Sequence, residues 1–67
     1  MMQIRINGES RELSEPIFVG RLLEELDLPS KHVAVEVNQE LIPRSQHQAY
    51  LVNSGDELEI VTLAGGG

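Results

Sequence analysis

The first part of the chain alternates apolar and polar side chains. Residues 2–6 follow the period-two pattern of a half-buried strand, and Asn7-Gly8 follows as a strong hairpin-turn signal. The return segment, residues 9–13, is polar and charged, which is typical of a strand at the edge of a sheet. We therefore predict a β-hairpin over residues 2–13.

The next apolar residues recur at helical spacing. They occupy positions i, i+3, i+4 and i+7, with charged residues on the opposite face: Val19, Leu22, Leu23 and Leu26. Phe18, in front of them, has no side-chain oxygen that could cap a helix. Pro29 disfavours a helical conformation at the residue before it. The spacing thus predicts one amphipathic helix that begins near Val19 and ends before Pro29.

The rest of the chain contains three more segments with the character of strands. Residues 33–37 and 57–62 alternate apolar and polar side chains, and residues 41–42 form a short apolar segment that ends at Pro43. Residues 44–52 have no clean period and are predicted to form a loop with a short helical turn. The predicted order of elements is β-β-α-β-β-β.

One helix can cover one face of a mixed sheet in which the first and last strands are parallel and central. The predicted fold class is therefore α+β, of the β-grasp (ubiquitin-like) type. It has a mixed four- to five-stranded sheet with one helix packed on one face, and residues 1–67 form a single domain. The residues predicted to lie between helix and sheet are Ile4, Ile6, Leu22, Leu26, Val35, Leu58 and Ile60.

Composition excludes several classes of function. A chain of 67 residues buries little surface, and without cysteine it has no disulfide to stabilise it, so a deep catalytic cleft is not expected. We therefore expect a protein that enzymes act on rather than an enzyme. Eleven acidic and five basic residues give a net charge of -6. This charge opposes binding to nucleic acids and to anionic membranes, and it favours a partner with a basic docking face.

Location and metal chemistry are also constrained by the sequence. No stretch approaches the roughly 20 apolar residues that span a bilayer, and no signal-peptide pattern opens the chain, so we expect a cytoplasmic protein. His32 and His47 have no carboxylate or cysteine at ligand spacing, and we predict that both are surface residues. We expect neither a metal site nor a permanently bound cofactor.

The last four residues are Ala64-Gly65-Gly66-Gly67. Glycine has no side chain and a large ordering entropy, so residues 64–67 are predicted to form a flexible tail. Fully extended, four residues reach roughly 13–14 Å, enough to enter a narrow channel of another protein and present the Gly67 carboxylate. Joining that carboxylate to AMP would give it a good leaving group, which a sulfur nucleophile could replace to leave a thiocarboxylate.

The pattern resembles a known family over essentially the whole chain. The most discriminating matches are Asn38-x-x-x-Ile42-Pro43-Arg44, Gly55-Asp56 and the terminal Gly66-Gly67. On these residues the chain resembles the ThiS family, the sulfur carriers of thiamine biosynthesis. Phe18 departs from the family, which usually begins the helix with Thr, and Gly65 adds a third glycine to the usual two.

The resemblance implies a reaction sequence at the C-terminus. An E1-like adenylating enzyme, using ATP and Mg, would adenylate Gly67, and a persulfide sulfur donor protein would convert it to a thiocarboxylate. Thiazole synthase would then receive the sulfur. Gly65 and Gly66 would thread into the partner.

A docking patch is expected beside the tail. Val61 and the residues that alternate with it lie on the face opposite Leu58 and Ile60, where they could form an apolar patch with an acidic rim. The residues predicted to contact a partner are Val61, Leu63, Glu57, Glu59 and Arg44. The alternative is that residues 44–52 half-cover this face.

Three other functions remain open at the level of sequence. The small subunit of molybdopterin synthase would use the same chemistry for another destination. A ubiquitin-like modifier would pass the adenylate to protein lysines and form stable adducts. A passive β-grasp binding module of RNA-handling enzymes is disfavoured by the acidic charge and by the glycine end.

Overall fold

The structure, a computed structural model, describes residues 2–28 and 30–62. Leu63 and the predicted tail, residues 64–67, lie outside the described residues. The elements are β1 (Met2–Ile6), β2 (Glu9–Leu13), β3 (Ile17–Phe18), α1 (Val19–Glu25), β4 (Val33–Val37), β5 (Glu40–Ile42), β6 (Leu51–Val52) and β7 (Glu57–Thr62). Short 3-10 turns cover Ser30–His32 and Arg44–Gln46.

The main sheet has five strands in the order β2-β1-β7-β4-β5. The first and last strands, β1 and β7, are parallel neighbours, and the other pairs are antiparallel. One face of this sheet carries α1, the one α-helix among the described residues. The predicted β-grasp fold, with a mixed sheet and one helix, is therefore confirmed.

The core lies between α1 and the sheet. Its buried apolar residues are Met2, Ile4, Val19, Leu22, Leu23, Val33, Val35, Val37, Ile42, Val52, Leu58 and Ile60. Ile6 and Leu26, which the sequence placed in the core, are only partly buried and pack against its edge. Ile6 is the last residue of β1, and Leu26 follows directly after α1.

Residues 44–52 contain more structure than the loop expected there. The short helical turn is present as Arg44–Gln46, but Leu51–Val52 also forms strand β6, which pairs with β3 in a second, two-stranded sheet. The first backbone N–H groups of a helix have no partners within the helix, and the Phe18 side chain has no oxygen that could accept from them. Backbone carbonyls of residues 44–52 accept these hydrogen bonds instead. The N–H of Val19 donates to the Tyr50 carbonyl at 2.9 Å, and that of Gly20 donates to the His47 carbonyl at 2.8 Å.

The C-terminus of α1 is fixed by its own backbone rather than by the proline. The N–H groups of Asp27 and Leu28 donate to the carbonyls of Glu24 and Leu23 at 3.0 and 2.9 Å, which is the Schellman arrangement. Asp27 supplies the left-handed residue at φ 60°. The helix therefore ends at Glu25, earlier than the position of Pro29 alone requires.

His47 is buried, so its prediction as a surface residue is wrong. Its ring is 2% exposed, and Nε2 lies 3.1 Å from the carbonyl oxygen of Ile42. That oxygen can only accept a hydrogen bond, so Nε2 is the donor. Nδ1 is buried and has no hydrogen-bond partner among the described residues. His32, by contrast, is exposed as predicted.

Among residues 2–28 and 30–62, no helix is long and apolar enough to cross a bilayer. Within the same ranges, no three His, Cys, Asp or Glu side chains are grouped so that they could hold a metal ion.

Asn7 joins the hairpin to the central strand through its side chain. Its Oδ1 accepts from the N–H of Ile60 at 2.8 Å, and its Nδ2 donates to the carbonyl of the same residue at 3.1 Å. The backbone of Asn7 is left-handed, with φ 52°. The side chain thus continues the β1–β7 ladder beyond the point where β1 turns away.

Replacing this amide by a carboxylate should destabilise the fold. Asn7→Asp keeps the acceptor but sets a second oxygen against the Ile60 carbonyl, so we expect a loss of about 1–3 kcal/mol in the free energy of unfolding. Urea titration measures this loss. Asn7→Gly is the matched variant, since it keeps the positive φ and loses both hydrogen bonds. Equal stability of all three proteins would show that the side-chain bonds contribute nothing.

Candidate functional site

No described element packs on the face of the main sheet opposite α1. Strand alternation sends the buried residues of β4 and β7 toward the helix and their neighbours to the other side. We call this surface the open face, and its members on β4, β5 and β7 are Ala34, Glu36, Leu41, Glu57, Glu59 and Val61.

Exposed apolar side chains lie at two places on the open face. Leu41 is 61% exposed and Val61 is 54% exposed. Ala34 is the cross-strand partner of Val61 and is half-buried. The open face therefore combines apolar area with solvent access, which is a common property of docking surfaces.

Carboxylates occupy the rest of the open face. Glu36 and Glu59 are direct partners across β4 and β7, and Glu57 lies two residues before Glu59. With Arg5 and Gln39 they line a depression of about 450 Å³. The surface is therefore acidic beside its apolar part, which fits a partner that presents cations.

The structure brings together three of the residues predicted to contact a partner. Val61, Glu57 and Glu59 share the open face. The segment 44–52 does not cover them, since it lies against the N-terminus of α1 in the other layer. Arg44 is exposed but begins the 3-10 turn that leads from β5 to that layer, apart from the open face. Leu63 lies outside the described residues.

Sequence reasoning missed Ala34, Glu36 and Leu41 as members of this surface. The alternation of residues 33–37 already placed Ala34 and Glu36 opposite the core, but only the strand order makes β4 the neighbour of β7. Leu41 precedes the buried Ile42 in a strand of three residues, too short for its period to be recognised.

Residues that carried the family resemblance hold the start of β7. Asn38 Nδ2 donates to Asp56 Oδ1 at 3.0 Å, and the N–H of Glu57 donates to Asn38 Oδ1 at 3.0 Å. The other carboxylate oxygen of Asp56 accepts from the N–H of Asn53 at 2.8 Å. These bonds set the position at which β7 enters the sheet, and hence which of its side chains reach the open face.

Comparison with known proteins decides the family. The sequence matches the profile of the ThiS family over residues 4–67. This chain belongs to the ThiS family. The resemblance seen in the sequence is thereby confirmed, and so is the prediction of a sulfur carrier at the level of the family.

Individual relatives agree with this assignment. The sulfur carrier protein ThiS of Escherichia coli is 32% identical over 66 residues, which cover 98% of this chain and 100% of that protein. The crystal structure of the thiamine biosynthesis protein ThiS of Geobacter metallireducens superposes with a TM-score of 0.86 at 32% identity. That match covers 98% of this chain and 100% of the other.

A longer relative contains a similar segment. The thiazole synthase of Paramagnetospirillum magneticum is 48% identical over 66 residues. The match covers 98% of this chain but 20% of that protein, so this chain spans a fifth of its length. A ThiS-like segment thus forms part of a protein named for thiazole synthesis.

Proposed function

We propose that this chain carries sulfur for thiazole formation in thiamine biosynthesis on the C-terminal carboxylate of Gly67. The family match carries this proposal, because it continues to residue 67 and so includes the glycine end. The match to the E. coli carrier over that protein's whole length supports the same register. In this role the chain is a co-substrate, and the chemistry is supplied by the enzymes that act on it.

The activation step follows from the chemistry of carboxylates. A carboxylate resists nucleophilic attack, since attack would have to expel oxide. Transfer of AMP from ATP to Gly67, with Mg and ATP held by an E1-like adenylating enzyme, creates an acyl adenylate and releases pyrophosphate. The terminal sulfur of a persulfide on the donor protein then attacks the acyl adenylate and expels AMP, which joins carrier and donor through an acyl disulfide. A thiol attacks the donor's sulfur of that disulfide, forms a new disulfide with the donor and releases the carrier as a thiocarboxylate.

The open face supplies the docking surface in this proposal. Val61 is its last described residue before the glycine end, and the six residues from there to Gly67 can reach about 20 Å when extended. A partner bound over the open face could therefore receive Gly65, Gly66 and Gly67 in a narrow channel. Arg44, which lies apart from the open face, and Leu63, outside the described residues, stay predicted contacts.

The receiving partner is a thiazole synthase in this proposal. The P. magneticum protein of that name includes a segment similar to this chain, which supports close association of the two activities. The family match favours this destination over molybdopterin synthesis. The cytoplasmic location expected from the sequence stays a prediction.

Intact-mass spectrometry tests the proposal. The chain is incubated with the adenylating enzyme of the same organism, ATP, Mg, a persulfide donor and a thiol reductant. We expect a mass change equal to replacement of one oxygen by sulfur, located at Gly67 by fragmentation, and no change without ATP. An unchanged mass, with an enzyme whose activity has been shown independently, would contradict the proposal. Adducts on protein lysines in cell extracts would instead indicate a modifier.

A further inference from the structure

Two carboxylates face each other in register at the centre of the open face. Glu36 on β4 and Glu59 on β7 are direct cross-strand partners. Both side chains project away from the core, since their neighbours Val35, Val37, Leu58 and Ile60 are buried. Like charges in directly opposed positions destabilise a sheet.

No described cation forms an ion pair with either glutamate: within the described ranges, the one ion pair joins Arg21 and Glu25 on α1, at 3.6 Å. Arg5 lines the same depression as the two glutamates, and its guanidinium donates to the Gly8 carbonyl at 3.1 Å, a bond that leaves its positive charge in place. Arg5 therefore offsets part of the repulsion between Glu36 and Glu59 at longer range, without pairing with either carboxylate.

Apolar side chains flank the two glutamates. Leu41 continues the same row on β5 as the partner of Glu36, and the next row holds Val61 opposite Ala34. A partner that covers these apolar residues would also remove water from around the carboxylates. Charge-assisted hydrogen bonds that form in such surroundings are stronger than those at an exposed rim.

We propose that Glu36 and Glu59 together bind one arginine side chain of the adenylating enzyme when that enzyme docks on the open face. A guanidinium offers several N–H donors in a planar fork and can therefore engage two carboxylates at once, whereas a lysine presents one point charge. This inference rests on the proposed function. It adds the docking chemistry and assigns a recognition role to Glu36, Glu59 and Leu41.

The proposal predicts that one substitution stabilises the isolated chain and weakens its binding to the adenylating enzyme. Removing one carboxylate relieves the repulsion in the isolated chain and also removes half of the arginine site. Glu36→Gln should therefore raise the Tm by about 1–5 °C. It should also raise the KM of the adenylating enzyme for the carrier about tenfold, with kcat nearly unchanged.

Charge reversal gives a sharper form of the same test. Glu36→Lys places a cation opposite Glu59, which should stabilise the chain at least as much as the glutamine variant, and it should raise KM by more than tenfold. Glu24→Gln is the matched control, since it removes the same charge from the exposed side of α1. It should leave the Tm within about 1 °C and the KM within about twofold of the values for the original protein.

The measurements are thermal unfolding of the isolated chain and steady-state adenylation, followed as ATP–pyrophosphate exchange at several carrier concentrations. A KM for Glu36→Gln equal to that of the Glu24→Gln control would overturn the proposal, as would a lowered Tm in both Glu36 variants. If adenylation is unaffected and only sulfur transfer to thiazole synthase weakens, the assignment to the adenylating enzyme is wrong. In each case adenylation of the original chain would still stand, so failure here is distinct from failure of the proposed function.

Discussion

Deletion of Gly67 should reduce adenylation by at least about 100-fold while the Tm stays within about 1 °C. The shortened chain still ends in a glycine carboxylate, but that group is displaced by one residue, or roughly 3.3–3.6 Å, relative to the docked body. Misplacement of a reacting group by about 1 Å can already cost about 100-fold in rate. The described core ends at Ile60, and Gly67 has no side chain to bury, so stability should not change.

Addition of one glycine after Gly67 is the complementary variant. It displaces the carboxylate by the same distance in the other direction and preserves all 67 residues, so it should lose activity to a similar extent. Pyrophosphate exchange and differential scanning calorimetry measure the two properties. Rapid adenylation of the shortened chain would show that position along the tail does not matter. A large loss of Tm would show that Gly67 belongs to the folded body.

Leu58→Ala should lower the free energy of unfolding so far that much of the protein unfolds, whereas Val61→Ala on the same strand should not. Leu58 is 2% exposed on β7, which lies in the middle of the main sheet. Leu→Ala changes in cores cost about 2–5 kcal/mol. That is a large fraction of the total stability of a domain this small, where about 5 kcal/mol is a typical lower value.

Val61→Ala is the matched variant on the same strand. Its side chain is 54% exposed on the open face, so its truncation should change the free energy of unfolding by at most about 0.5 kcal/mol. Its effect should appear instead as a higher KM for adenylation. Urea titrations of both variants decide the point. Equal losses in the free energy of unfolding for the two variants would show that Leu58 and Val61 do not lie on a buried and an exposed face of β7.

Much of the fold follows from periodicity in the sequence. Residues 2–6, 33–37 and 57–62 alternate for long enough to show which side of each strand is apolar, and the helical spacing from Val19 onward is equally clear. The parallel neighbours β1 and β7 follow from a helical crossover between strands. These parts depend on local pattern, which the sequence carries directly.

The parts that were missed depend on contacts between distant segments. Strands β3 and β6 have two residues each, so neither has a period, and each is defined by its pairing with the other. His47 is buried because its segment crosses to the helix N-terminus, a contact that its neighbours in sequence do not indicate.

In the candidate site, too, some residues follow from local pattern and others depend on contacts between distant segments. Alternation along β7 was enough to place Val61, Glu57 and Glu59 on one face. Adding Glu36 and Leu41 required the strand order and the register of β4 and β5. Gly65, Gly66 and Gly67 were assigned by family resemblance, and their roles stay predictions.

Transfer of labelled sulfur from the carrier to product tests the central claim most directly. The chain is loaded at Gly67 with a heavy sulfur isotope, purified, and mixed with thiazole synthase and its other substrates. We predict that the label appears in the thiazole and that the carrier returns to its original mass with an ordinary carboxylate. Label that stays on the carrier, or thiazole that forms with unlabelled sulfur, would contradict the claim that Gly67 delivers it.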